Sequence, residues 1–103
     1  MLKKYSPKFS TGSLFICSKC GKEFSNPEPD RAEKLKSDLR TELKAIDAHA
    51  KVRVMVGGCL GVCIKDEQTF AYYPNVGEAE IYTTSNQFDQ AKSDILNFVK
   101  TKT

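Results

Sequence analysis

Val52-Arg53-Val54-Met55-Val56-Gly57-Gly58-Cys59-Leu60-Gly61-Val62-Cys63 is the stretch on which the reading of the fold turns. Val52, Val54 and Val56 alternate with Arg53 and Met55, the period-two, β-branched pattern of a strand that turns one face to a core. The strand runs straight into two glycines and a cysteine pair, so the pair belongs to a loop at a strand's carboxyl end. Upstream, Ala32, Leu35, Leu39, Leu43 and Ile46 recur at three- and four-residue steps among charged residues that include Arg31, Lys36, Asp38 and Arg40. That spacing predicts an amphipathic helix with one face on a core. Asn26-Pro27-Glu28-Pro29-Asp30 supplies the prolines and acids of a helix start, which places the first turn near Asp30.

Farther upstream, Ser13-Leu14-Phe15-Ile16-Cys17 is a short apolar run after Gly12 and reads as the first strand. Two strands joined by a helix form a parallel crossover unit. Downstream, Thr69-Phe70-Ala71-Tyr72-Tyr73 and Glu80-Ile81-Tyr82-Thr83 read as an antiparallel hairpin joined by the turn residues Pro74-Asn75-Val76-Gly77. Ser85 offers an N-cap hydroxyl, and Phe88, Ala91, Ile95, Phe98 and Val99 make the apolar face of a closing helix. The expected architecture is α/β: a βαβ unit followed by ββα, a four-stranded mixed sheet with two main helices, in the order of the thioredoxin-like core. Residues 1–11 are polar and basic with no apolar periodicity, and read as a flexible basic arm ahead of a single domain over 12–103.

Cys17-Ser18-Lys19-Cys20 leaves the first strand, and Cys59 and Cys63 leave the second. Parallel neighbours end at the same sheet edge, so all four cysteines can reach one centre without strain. Two short spacings on adjacent loops are an economical way to gather four thiolates around a metal. Gly57, Gly58 and Gly61 let main-chain N–H groups approach sulfur, which suits an iron–sulfur centre more than zinc. Lys19, Lys22 and Lys65 flank the loops and read most simply as solvated side chains.

Gly58-Cys59-Leu60-Gly61-Val62-Cys63 after a valine-rich strand, then a strand ending Tyr72-Tyr73-Pro74 with Gly77, a further strand and a closing helix, resembles the thioredoxin-like 2Fe-2S ferredoxins. The small iron–sulfur subunit of respiratory NADH dehydrogenase belongs to the same group. The resemblance covers about residues 12 to 100. It implies a 2Fe-2S cluster on Cys17, Cys20, Cys59 and Cys63, an electron-transfer role with a redox partner protein, and homodimerisation. Only Ser18 and Lys19 separate the first two ligands, a closer pair than in that family. An electron carrier needs no catalytic side chain, and a partner protein is expected to approach beside Leu60 and Val62.

Zinc stays open as the alternative. Cys17 to Phe24 looks like the opening half of a zinc finger, but the only histidine, His49, lies at the far end of the predicted helix, so zinc would need the same four cysteines. Thiol–disulfide chemistry is the other alternative, although the helix begins well after Cys20 and cannot lower a thiol pKa through its dipole. No Ser-His-Asp set and no phosphate-binding glycine loop points to an independent hydrolase or kinase. With 103 residues, 40% hydrophobic and 28% charged, the chain has the composition of one globular domain. The net charge of +3 is mild and its lysines form no stripe with aromatics, so nucleic acid is not an expected partner. The absence of a long apolar segment, together with the close cysteine spacings, makes a cytoplasmic domain without a membrane span the expectation.

Overall fold

The computed structural model describes residues 1–103 except Pro7, Cys59 and Cys63, and describes Glu23 without its side chain. The elements follow one another as β1 (Gly12–Cys17), a 3₁₀ turn (Cys20–Glu23), α1 (Arg31–Ala45), β2 (Val52–Gly57), β3 (Glu67–Pro74), β4 (Glu80–Ser85) and α2 (Phe88–Lys102). The strands form one sheet in the order β2-β1-β3-β4. β1 and β2 are parallel, with Leu14 opposite Val54 and Cys17 opposite Gly57. β3 pairs antiparallel with both β1 and β4. The chain is therefore α/β, a mixed four-stranded sheet with two helices.

Alternation assigns the two faces. Leu14, Ile16, Val52, Val54, Phe70 and Tyr72 are buried in one core with Leu35, Leu39 and Leu43 of α1 and Ala91, Ile95 and Val99 of α2. Phe98 joins the helix layer to the sheet, its ring 5.6 Å from Phe70 and Tyr72 and 5.1 Å from Tyr82. Odd-numbered β1 positions point the other way, where the register lines up Met55, Phe15, Ala71 and Ile81 across all four strands. Phe15 meets Tyr73 edge-on on that face.

The end of α1 departs from the sequence expectation. Ile46 continues the apolar spacing yet is 45% exposed. The helix stops there because Asp47 adopts a positive φ of 59°, Ala48 N–H bonds Leu43 O at 2.8 Å and Asp47 N–H bonds Lys44 O. This is a Schellman termination, which turns the chain inward at Ala48 and leaves Ile46 outside. The start differs too: Arg31 was expected on the polar face and is 3% exposed. Asp30 is the N-cap without a side-chain cap bond. At α2 the N-cap is Gln87, whose N–H bonds Ser85 Oγ at 2.9 Å, so Ser85 shapes the turn before the helix without capping it.

Candidate metal centre

Cys17 ends β1 and is fully buried; Cys20 opens the 3₁₀ turn and is 6% exposed. The two thiols interact, and together with Phe24 they form a small apolar cluster apart from the main core. Leu60, from the Gly-rich loop after β2, packs onto this cluster. The loop carrying the second cysteine pair thus closes over the first. Cys59 and Cys63 themselves lie outside the described residues.

Their described neighbours stand close to the first pair. Gly57, two residues before Cys59, is the register partner of Cys17, and Ser18 N–H bonds Gly57 O at 3.0 Å. Thr69 links the other side: its N–H donates to Cys20 Sγ at 3.4 Å and its hydroxyl to the carbonyl of Val62, the residue before Cys63, at 2.9 Å. Thr69 is fully buried, so its bond to the Cys20 sulfur lies where water does not compete, while the bond to Val62 O is partly buried. Next to it, buried Gln68 donates through Nε2 to Cys17 O at 3.1 Å and Thr69 O at 3.0 Å, fixing the strand end that carries Cys17. Outside, Ser25 gives its N–H and its hydroxyl to the two carboxylate oxygens of Asp66, each at 2.7 Å, and so clasps the two cysteine-bearing loops together.

Burial pushes the Cys20 thiol above its ordinary value; bonds from Thr69 oppose the rise and neighbouring Cys17 adds to it. A metal-free Cys20 in this pocket is favoured as the thiol, and a cation is what would bring it to thiolate. The donor set fits a thiolate-bound group: two buried sulfurs side by side, one already receiving an amide N–H. Among the described residues no cluster of three or more His, Cys, Asp or Glu could hold a metal without the second pair.

Arg31 stands behind this pair. Gly21, the residue after Cys20, lies so close to the α1 entrance that a Cβ there would come within 2.2 Å of Glu28 O and 3.1 Å of Arg31 Cβ. The Arg31 guanidinium sits 4.9 Å from the ring of Phe24 and 5.7 Å from that of Phe88, with Nη2 paired to half-exposed Glu28 at 2.7 Å. Its Nε and Nη1 are buried without a hydrogen-bond partner.

The spacing picked out Cys17 and Cys20, and the structure brings them together. It gave no sign of Gln68, Thr69, Gly21, Arg31 or the Ser25–Asp66 clasp. The one available signal was Gln68-Thr69 at the head of an otherwise apolar strand, where buried polar residues need a reason. His49 is exposed in the loop after α1, away from both cysteine loops in the chain. Leu60, expected on an open docking surface, is half-buried against the cysteines, while Ile64 beside that loop is 48% exposed. No protein-family model, curated protein or solved structure matches the chain. Among the described residues no helix is long and apolar enough to cross a membrane.

Proposed function

We propose that this chain is a small electron-transfer protein of thioredoxin-like fold that holds a 2Fe-2S cluster on Cys17, Cys20, Cys59 and Cys63. One observation carries the reading: the buried Cys17–Cys20 pair lies against the loop of the second pair, through Leu60 and through the Thr69 bridge between Cys20 Sγ and Val62 O. Covalent geometry supports convergence, because Cys59 follows two residues after the register partner of Cys17 and Cys63 follows directly after the residue Thr69 holds. The element order and the strand order β2-β1-β3-β4 support the fold assignment.

A bound cluster would supply one-electron oxidation and reduction. Thr69 N–H stabilises charge on the Cys20 sulfur. Gln68 holds Cys17 in place through its carbonyl, and Leu60 with Phe24 keeps water from the sulfurs. Electrons would enter over the rim near Ile64, the exposed apolar residue next to the second loop. The tight turn that closes Cys17 to Cys20 also suits one tetrahedral zinc ion, the second reading. Thiol–disulfide exchange is less well served: Cys20 is buried, its thiol is raised, and α1 begins only at Arg31.

The test is anaerobic purification followed by visible absorption and iron, sulfide and zinc assays on the parent and on Cys59→Ser. Visible absorption with equal iron and sulfide, lost in the variant, is the expected result. One zinc per chain without colour selects the zinc reading, and no metal in the parent overturns both.

A further inference from the structure

We propose a second site at the opposite end of the sheet: a cationic cleft that binds the polyphosphate group of a small ligand. A cavity of about 730 Å³ lies between the start of β2, the last turns of α1 and the segment before β1. It falls within the volume range of small-molecule sites. Ser13 and Val52 line it at the amino ends of their strands, whereas Cys17 stands at the carboxyl end of β1, four residues or about 13 Å farther along at strand rise.

Its charge is one-sided. Lys8, Arg40, Lys44 and Arg53 line the cleft together with His49, and among the described residues no Asp or Glu does. Elsewhere four basic side chains find acids: Arg31 pairs with Glu28, Lys36 with Glu33, Lys92 with Asp38 and Glu42, and Lys102 with Glu80. None of the four cleft cations takes part in an ion pair among the described residues. Arg40 and Lys44 are one turn apart on α1, a like-charge spacing that weakens a helix unless something neutralises it. The dipole at the helix end accounts for Lys44 and for none of the others.

Two of the cations, Arg40 and Arg53, are also held in place. Arg40 Nε donates to Val54 O on the edge strand at 2.9 Å, which anchors the guanidinium and spends one of its five N–H donors. Arg53 lies over the Phe9 ring at 5.8 Å. Phe9 is fixed in turn, its carbonyl accepting from Asn75 Nδ2 at 2.7 Å, while Thr11 N–H bonds Lys51 O at 2.8 Å. The segment that reads from sequence as an arm therefore forms one wall. Leu43, Val52 and Val54 make a buried apolar floor.

Charge and size choose the ligand class. Each phosphate group brings about one to two negative charges, so a lone phosphate would leave two of the four cations unmatched and a di- or triphosphate would not. Arg and Lys are the side chains that bind such oxygens. A single nucleic-acid strand is a poorer fit, because stacking needs open aromatic faces and Phe9, the one Phe, Tyr or Trp among the described lining residues, already carries Arg53.

The test uses the full chain and amide NMR spectra at constant physiological ionic strength, titrated with sodium tripolyphosphate, ATP or short single-stranded DNA. The expected result is saturable shifts at Phe9, Lys44, His49 and Arg53 with tripolyphosphate. In the double reversal Lys44→Glu/Arg53→Glu the affinity should fall by about tenfold or more, roughly 1.4 kcal/mol. Lys34→Glu/Lys100→Glu, a charge-matched change at exposed sites elsewhere, should keep it. Arg53→Gln alone, at an exposed strand position, gives the same reading should the double reversal unfold. Equal affinity for ATP and tripolyphosphate supports the site with no nucleoside contact; tighter ATP supports it with one. Absence of saturable shifts, an equal loss in the control, or DNA binding more tightly than tripolyphosphate overturns the proposal.

Discussion

Replacing Arg31 by methionine is expected to leave the metal-free domain within about 2 kcal/mol of the parent, although the side chain is 97% buried and charged. Two buried nitrogens without partners, Nε and Nη1, each cost about 1–3 kcal/mol, roughly 4 together, and methionine removes that cost. The variant gives up the pair to Glu28, worth about 1 kcal/mol because Glu28 is half in water, and two stacked ring contacts of roughly 1 kcal/mol each. Glu28 is not stranded in the core when its partner goes, so the penalty of an orphaned buried charge does not arise. Methionine keeps most of the apolar stem between Phe24 and Phe88; Arg31→Ala would not, and should lose about 2–5 kcal/mol to the cavity. The metal-loaded protein behaves differently if the proposed centre forms, since four thiolates around either zinc or an oxidised 2Fe-2S cluster leave two negative charges beyond Phe24. There the cation contributes, and Arg31→Met should cost about 2 kcal/mol more in the loaded than in the metal-free protein. Urea unfolding followed by far-ultraviolet circular dichroism, with and without metal, measures both numbers. A metal-free loss above about 3 kcal/mol for methionine would refute the accounting of the unpaired N–H groups.

Gly21→Ala drives a methyl into the carbonyl of Glu28 and should cost about 2–3 kcal/mol in thermal unfolding while lowering metal content, because the same turn carries Cys20. Leu60→Asp places a carboxylate against the buried cysteines and should empty the centre, seen as lost metal in elemental analysis; an intact centre with slowed electron exchange would instead favour Leu60 as a docking residue. Gln68→Leu withdraws the donor from Cys17 O and Thr69 O but also removes the buried Oε1 that has no partner, so unfolding should shift by less than about 1.5 kcal/mol while metal affinity falls, read by competition with a chelator. Ser25 N–H first, and then its hydroxyl, hold the Asp66 carboxyl below its ordinary value. A depressed folded pKa contributes stability above the unfolded pKa and loses it as pH falls through the folded one, so the melting-temperature gap between parent and Ser25→Ala should be full at neutral pH and close below about pH 4.

The parts of this chain legible in its sequence are those whose cause lies within one element. Val52, Val54 and Val56 alternate because a single strand has two faces, and two of them reach the core as expected. Cys17 and Cys20 come together because two intervening residues leave them little choice. The α1 stripe was legible from Ala32 to Leu43 and failed at Ile46, where Asp47 leaves helical space and the pattern no longer refers to a helix. What escaped was polar and non-local. Arg31 is buried by Phe24, seven residues before it, and Phe88, on the other helix; neither reveals in sequence that it will flank a guanidinium.

Gln68 and Thr69 reach Cys17 and Cys20 across 51 and 49 positions. Lys8, Arg40, Lys44 and Arg53 look like scattered solvated charges until the edge strand, the helix end and the leading segment fold around one cavity. Apolar burial repeats along an element and can be counted, whereas a polar group is buried only where a partner from elsewhere meets it. The polar residues that break the local pattern are therefore the ones whose reason has to be sought in a site. Here the buried ones, Arg31, Gln68 and Thr69, collect around the cysteines at one end of the sheet, while the cations of the cleft at the other end stay exposed and are gathered by the fold alone.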